Sequence, residues 1–500
     1  MSGDSHALHL VDAGDDVAIA TRAIAAGEEI AVAGRALRAA QDIPAGHKMA
    51  LRAVPRGAEV RKYGFPIGVA AADIAEGAHV HSHNLSTGLS GTLEYAYTPT
   101  PAAEARPDAP QPSFMGYRRA DGRVGTRNEI WIICTVGCVG RTAERIATLA
   151  DARFRGRVDG VHAFPHPFGC SQLGDDLSRT RNLLAALAGH PNAGGVLVLG
   201  LGCENNQLDR MLAEAGPLDP ARLRAFSAQA AADEIEEGLA AVEALVAVAE
   251  HDRREPCPLS DLVVGLKCGG SDGFSGLTAN PLVGRIADRV AAAGGTPVLT
   301  EIPEVFGAER LLMDRAVDAG VFGQVVDLVN GFKRYFLDHG QPVYENPSPG
   351  NVAGGITTLE EKSLGAVQKG GRAPVAQVLP YGARAERRPG LALLEAPGND
   401  GVSSTALAAA GATVILFTTG RGTPLGFPVP TLKIASNSDL ARRKPGWIDF
   451  DAGRVLSGTG MEEAADRLLE LVLATASGAP ARNEINGQRE IAIWKDGVTL

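Results

Sequence analysis

Residues 99–113, PTPAAEARPDAPQPS, divide the chain into two parts of different texture. Proline removes backbone donors and stiffens the chain, so this run reads as an exposed linker. Before it, residues 1–98 carry short apolar runs such as Val17–Ala20, broken by glycine-containing turns (AAGEE, IPAGH, PRGAE, AEGAH) about every ten residues. That spacing predicts a small β-rich module of the barrel or clip type. After it the pattern becomes α/β. Apolar runs at Ile130–Thr135 and Gly195–Leu201 have the look of strands covered on both faces. From Ser227 to Glu250, Ile235, Leu239, Val242 and Val246 share one helical face. The polar stretch EHDRREPCPLSD marks a second boundary near residue 256. The expected fold class is therefore α/β: a β-clip module (1–98), the linker (99–113), an α/β second domain (114–255) and a C-terminal α/β domain (256–500), the last two built on Rossmann-like parallel sheets. In the last part the strands expected are Leu262–Leu266, Pro297–Ile302, Leu391–Ala396, Thr413–Thr418 and Thr431–Ala435. Helices are expected over Pro281–Ala293 and Glu462–Ala474.

The 500 residues are 45% hydrophobic and 21% charged, which is globular composition. Lys and Arg total 48 against 58 Asp and Glu, a net charge of −10, with no basic block. Nucleic acid and anionic membranes are poor partners for such a chain. No run approaches the ~18 apolar residues of a membrane span, and the N-terminus lacks the basic start and apolar core of a signal peptide. A cytoplasmic protein is expected. Six cysteines in 500 residues are free thiols or ligands there, not a disulfide scaffold.

Ligands of open α/β sheets bind beyond the carboxyl ends of strands. Five strand-like runs end in polar, glycine-rich loops: Gly202–Asn206, Cys268–Asp272, Glu301–Glu304, Pro397–Asp400 and Thr419–Thr423. Together they suit a hydroxylated small molecule. No GxxxxGK[ST] loop is present, and Gly200-Leu201-Gly202 lacks the third glycine of a dinucleotide fingerprint. In the first module His79-Val80-His81-Ser82-His83 would place three imidazoles on one face of a strand, a donor set for Fe, Mn or Zn. His47 and Lys48 add an imidazole and an amine. Cys170, Cys203 and Cys268 each sit in a glycine-flanked loop, and three thiolates suit an iron–sulfur cluster with one open iron. Arg127, Asn128, His166, Asn346 and Lys362 are further candidates. Arginine can clamp a carboxylate through two parallel bonds.

The segments GHKMAL, KYGFPIG, HVHSHN, DGRVGTRNE, FGCSQLGDD, HPNAGGVLVLGLGCENNQ, CGGSDGFSGLTANP, TEIPEVFGAE, YENPSPGN, GGITTLEEKSLG, FTTGRGTP and WIDFDAG are long and idiosyncratic. Through them the chain resembles the altronate/galactarate dehydratase family almost end to end. The resemblance implies that the first module is a SAF domain of β-clip fold, which in some relatives is a separate subunit. It implies a hydro-lyase that dehydrates D-altronate to 2-dehydro-3-deoxy-D-gluconate in hexuronate (galacturonate) catabolism. Galactarate, another aldonate or sulfolactate are the alternative substrates, and a non-catalytic sugar-acid-binding protein is the alternative class. It also implies Fe(II), replaceable by Mn(II), and a homodimer. The resemblance does not fix the ligands; the imidazoles themselves point to His81 and His83 as metal ligands, with His47 as a third ligand or a base. His47, Lys48 or His166 serves as acid or base. Arg127 and Arg421 hold the carboxylate, and Asn128, Asn205, Ser271, Asp272 and Asn399 read the rest of the substrate. The cysteine trio is the competing cofactor site.

Overall fold

The computed structural model describes residues 7–99 and 112–500, so most of the proline-rich run lies outside the described residues. The first module is all β. A four-stranded antiparallel sheet runs in the order Leu8–His9, Val17–Ala20, Lys48–Ala50, His79–Val80. Glu59–Lys62, Phe65–Ala70 and Leu85–Ser86 form a second sheet. The four glycine turns share one device. Gly27, Gly46, Gly57 and Gly77 all take left-handed φ, from 79° to 86°. Three residues before each sits an apolar residue, and these pair antiparallel across the module, Ile24 with Ile43 and Val54 with Ile74. Glycine is required there, because a Cβ at Gly77 would lie 2.1 Å from the Arg38 carbonyl oxygen. The strands end at Ser86, and Thr87 to Thr98 leave the module to run over the C-terminal domain. Tyr95 donates to Glu309 at 2.5 Å, and the Tyr97 ring packs on Phe322.

The second domain is a parallel sheet in the order Val161–Phe164, Glu129–Cys134, Ala193–Gly200, Leu223–Ser227. Its helices are Gly140–Arg153, Gly174–Ala188, Leu208–Ala215 and Glu234–Ala249. The last is shorter than its apolar periodicity suggests. Ser227 ends the edge strand, and the helix begins only after Asp233, whose carboxylate accepts from the amides of Ile235 and Glu236. Val242, Leu245 and Val246 then bury against Ile130, Ile132, Leu197 and Leu199 of the sheet.

The C-terminal domain carries a seven-stranded parallel sheet: Val375–Leu379, Leu391–Leu394, Thr296–Leu299, Val263–Cys268, Val414–Thr419, Thr431–Ala435, Phe450–Asp451. The α/β class and its parallel sheets are as the sequence implies. Val375–Leu379 and the twenty-residue helix Ala319–Asp338 are additions to the sequence reading. The chain leaves the central strand Val263–Cys268 toward one side and returns at Val414–Thr419 on the other. That topological switch point is where such sheets bind ligands. No helix among the described residues is long and apolar enough to cross a membrane.

Candidate active site

At the carboxyl end of the central strands lies a cavity of about 470 Å³. Its walls come from Cys268–Ser271, Glu304, Asn346, Ser348, Asn351, Lys362, Gly398–Gly401 and Leu425. A chain of buried charges forms its floor. Lys267 bonds Glu301 and reaches Asp400 at 2.8 Å. Lys369 lies 2.9 Å from Glu301 and 2.6 Å from the Cys268 sulfur. Cys268 in turn donates to Glu304 at 3.3 Å, and Glu304 pairs with Lys362 at 2.8 Å. Lys362 also donates to the side-chain oxygens of Asn346 at 3.0 Å and Asn351 at 3.2 Å. Burial would raise the Glu301 carboxyl, but Lys267 and Lys369 outweigh it and hold it at about 2. Burial pushes the Cys268 thiol up to about 12, so it is a neutral donor. Burial pulls Lys362 down, yet Glu304 more than restores it, and it stays an ammonium. Glu301 also holds a left-handed backbone (φ 67°, ψ 53°), a conformation that costs ~1–3 kcal/mol away from glycine.

Among the described residues, Cys268, Glu301 and Glu304 are the group whose donor atoms lie close enough together to hold a metal. Three ammonium groups already occupy that neighbourhood, Lys267 and Lys369 on Glu301 and Lys362 on Glu304, so the charge a cation would supply is present as lysine.

The imidazoles gather elsewhere, at the joint between the β module and the C-terminal domain. The strand carrying them ends at Val80, so strict alternation does not place them; a turn over residues 81–84 does. His79 joins the cluster as a member the sequence reading placed only on the same face as its neighbours. The His47, His79 and His81 ring centroids lie 5.0–5.3 Å apart, and His47 Nδ1 is 3.0 Å from His79 Nε2. His83 is exposed and touches only the His79 ring within the cluster. Burial, then neighbouring cationic groups, pulls His47 and His79 down to about 4, so both are neutral and able to bind a metal at neutral pH. His81 Nε2 lies 3.0 Å from the Val352 carbonyl oxygen, in the short helix Pro349–Ala353. Asn351 and Ser348, on that same segment, face the cavity. One short helix thus separates the imidazoles from the pocket.

Several sequence candidates are committed to structure instead. Lys48 is wholly buried, and its ammonium bonds Glu361 at 2.7 Å, Thr357 and the Gly355 carbonyl. Arg127 forms a two-pronged ion pair with Glu484 and donates to three carbonyls, away from the cavity. Asn128 bonds the Ala249 carbonyl and Arg119. His166 has both ring nitrogens engaged, with the Cys134 carbonyl and the Phe168 amide. Asn205 accepts from the Ser171 amide in the second domain. Asp272 is buried behind the cavity wall, where Ser275, Ser436 and Asn437 donate to it. Ser271 and Asn399 do line the cavity. Arg421 makes no ion pair among the described residues, and its side-chain base lies beside cavity-lining Gly270. Cys268 is sealed under Lys369, whereas Cys170 and Cys203 are exposed in the second domain, so these three cannot share a cluster.

Profiles for three domains cover the chain: the altronate/galactarate dehydratase SAF domain at residues 6–88, the D-galactarate dehydratase/altronate hydrolase second domain at 116–250, and the D-galactarate/altronate dehydratase C-terminal domain at 259–499. The chain belongs to the altronate/galactarate dehydratase family. It is 51% identical to an altronate dehydratase of Escherichia coli (strain K12) over 98% of this chain and 99% of that one. With the altronate dehydratase of Bacillus subtilis (strain 168) it shares 49% over 97% and 98%. With a galactarate dehydratase (L-threo-forming) of E. coli the figure is 35% over 87% and 86%. Family membership makes the SAF assignment secure for the first module.

Proposed function

We propose that this member of the dehydratase family is a hydro-lyase that converts D-altronate to 2-dehydro-3-deoxy-D-gluconate and water, as a step in hexuronate breakdown. The observation that carries the reading is the 51% identity to an altronate dehydratase from end to end, against 35% to the galactarate enzyme. The cavity supports it. Amide side chains (Asn346, Asn351, Asn399) both donate and accept, as sugar hydroxyls require, and the Lys362 ammonium complements a carboxylate or a leaving hydroxyl.

Dehydration breaks the C2–H bond, then the C3–O bond. The C2 proton is weakly acidic because it lies alpha to the carboxylate. Glu304, on the cavity wall, is positioned to accept it. The Lys362 ammonium, 2.8 Å from Glu304, is positioned to protonate the departing C3 hydroxyl as water. The enol left behind ketonises to the 2-oxo acid. Arg421 and Ser271 would orient the carboxylate end. Fe(II), with Mn(II) as a substitute, fits the neutral imidazoles of His47, His79 and His81, which would exchange their present hydrogen bonds for it; such an ion would supply Lewis acidity at the joint, one short helix away from the cavity.

The test is turnover by metal-stripped protein given Fe(II), Mn(II), Mg(II) or nothing under argon, with D-altronate beside D-galactarate, D-mannonate and sulfolactate. Fe(II)-dependent formation of the 2-keto-3-deoxy acid from altronate alone is the expected result. Turnover of another acid moves the substrate. Binding of altronate by calorimetry with no turnover of any acid would replace the enzyme reading with a binding protein.

A further inference from the structure

Cysteine is among the residue types most often buried, yet Cys138, Cys170 and Cys203 are all exposed. They share one setting. Each directly follows a glycine, and each sits in the loop after a strand of the second domain's parallel sheet: Cys138 after Glu129–Cys134, Cys170 after Val161–Phe164, Cys203 after Ala193–Gly200. These strands are neighbours, with Glu129–Cys134 in the middle, so the three loops adjoin at one edge.

The loops are stitched together by short bonds. The Gly137 amide donates to the Phe168 carbonyl at 2.8 Å, and the Asn206 amide to the Gly169 carbonyl at 2.9 Å. Ser171 donates to the Asn205 side chain at 2.7 Å. The preceding glycines permit this closeness. A Cβ at Gly137 would lie 2.7 Å from the His166 carbonyl oxygen, one at Gly169 2.1 Å from that of Thr135, and one at Gly202 2.7 Å from Gln229. Each Gly–Cys pair therefore spends a sterically special backbone position on presenting a thiol to solvent at the same edge.

We propose that Cys138, Cys170 and Cys203 hold an iron–sulfur cluster, with one iron left open to a small oxygen ligand. The surroundings favour thiolates. Cys138 lies in the turn Gly137–Val139 that leads directly into the helix Gly140–Arg153, at its positive end. Gln229 Nε2 lies 3.5 Å from the Cys203 sulfur, placed as a donor to it. The one acid of the Cys203 loop, Glu204, is turned inward, where Thr135 and the amides of Leu201 and Gly202 hold it. The three sulfurs do not converge tightly enough to grip one ion. A cluster spreads its thiolates over separate irons and needs them apart, and three cysteines leave one iron of a four-iron cluster without a protein thiolate. This site is separate from the imidazole cluster and from the cavity floor.

The full chain purified under argon, then incubated with Fe(III), sulfide and dithiothreitol, which reduces part of the iron to Fe(II), tests it. A brown protein with broad visible absorbance and about four labile sulfides per chain is expected. Cys138→Ser, Cys170→Ser and Cys203→Ser should each lose most of that sulfide, while Cys257→Ala, remote from the loops, and His81→Ala should keep it. Should a serine variant misfold, alkylation of the wild type decides: the three thiols should resist iodoacetamide when iron and sulfide are bound and react after acid removes them. A colourless, sulfide-free protein after reconstitution would overturn the proposal. So would colour that survives all three serine substitutions, or that disappears with His81→Ala.

Discussion

Lys362 and Glu304 form an ion pair on the cavity wall, in which the carboxylate can take a proton and the ammonium can give one. Replacing Lys362 with Met removes the acid while keeping the stem, and should lower kcat by ~10²–10⁴-fold. Glu304→Gln should fall in the same range, and circular dichroism should show both folded. Arg421→Met should instead raise KM for the acid more than it lowers kcat, because a guanidinium binds a carboxylate and does not give up its proton. At this scale the sequence shows part of the site. Ser271 and Asn399 are visible because they sit in glycine-rich loops at the ends of apolar runs, although Asn205 and Asp272, in loops of the same kind, serve structure instead. Lys267 and Lys369 are not, because a lysine near the end of a strand or in a short helical turn reads as a solvated residue until the fold seals it against its partner. Arg127 shows the opposite error: the same fork that would clamp a substrate clamps Glu484 instead.

At the scale of elements, caps and turns are the readable signals. Asp233 ends the irregular stretch before the helix Glu234–Ala249, and Asp233→Ala should destabilise the protein by ~1 kcal/mol in urea titration, with little effect on kcat. The four glycine turns of the SAF domain were legible because only glycine is cheap at positive φ. The helix Ala319–Asp338 was obscured by Gly320, Gly323 and Gly331, which lower helix propensity by ~1 kcal/mol each. Its apolar residues Val321, Phe322, Val325, Leu328, Val329 and Phe332 nonetheless bury, so tertiary packing overrides the local preference. The strand Val375–Leu379 was hidden by Gln377, whose side chain pairs with the backbone of Glu386 rather than facing solvent. The histidine cluster was found for a partly mistaken reason: the residues converge, but through a turn rather than strand alternation.

Across the whole molecule, the joint between the SAF domain and the C-terminal domain rests on one buried carboxylate. Glu361 receives Lys48 at 2.7 Å and Lys62 at 2.9 Å, all three wholly enclosed. Burial would raise Glu361, but the two ammonium groups hold it at about 2, below its ordinary value of 4.5. A depressed carboxyl stabilises the folded state above its unfolded pKa and loses that contribution as protons return. The joint should therefore be at full strength above pH ~4.5 and weaken steadily as pH falls toward 2, which thermal melts across that window would show. Glu361→Gln leaves two buried lysines without their counter-charge, and should cost ~3–5 kcal/mol and flatten that acid limb. The backbones meet as closely as the charges do. A Cβ at Gly273 would lie 1.9 Å from the Gly46 carbonyl oxygen, so Gly273→Ala should lower the melting temperature without touching any ionisable group. An appendage built this way cannot hinge. Swinging it outward even slightly would strand a carboxylate and two ammonium ions halfway between partner and water, a worse place for them than either end. The module is a keystone, held against the C-terminal domain by enclosed charge rather than by a strap that could slacken.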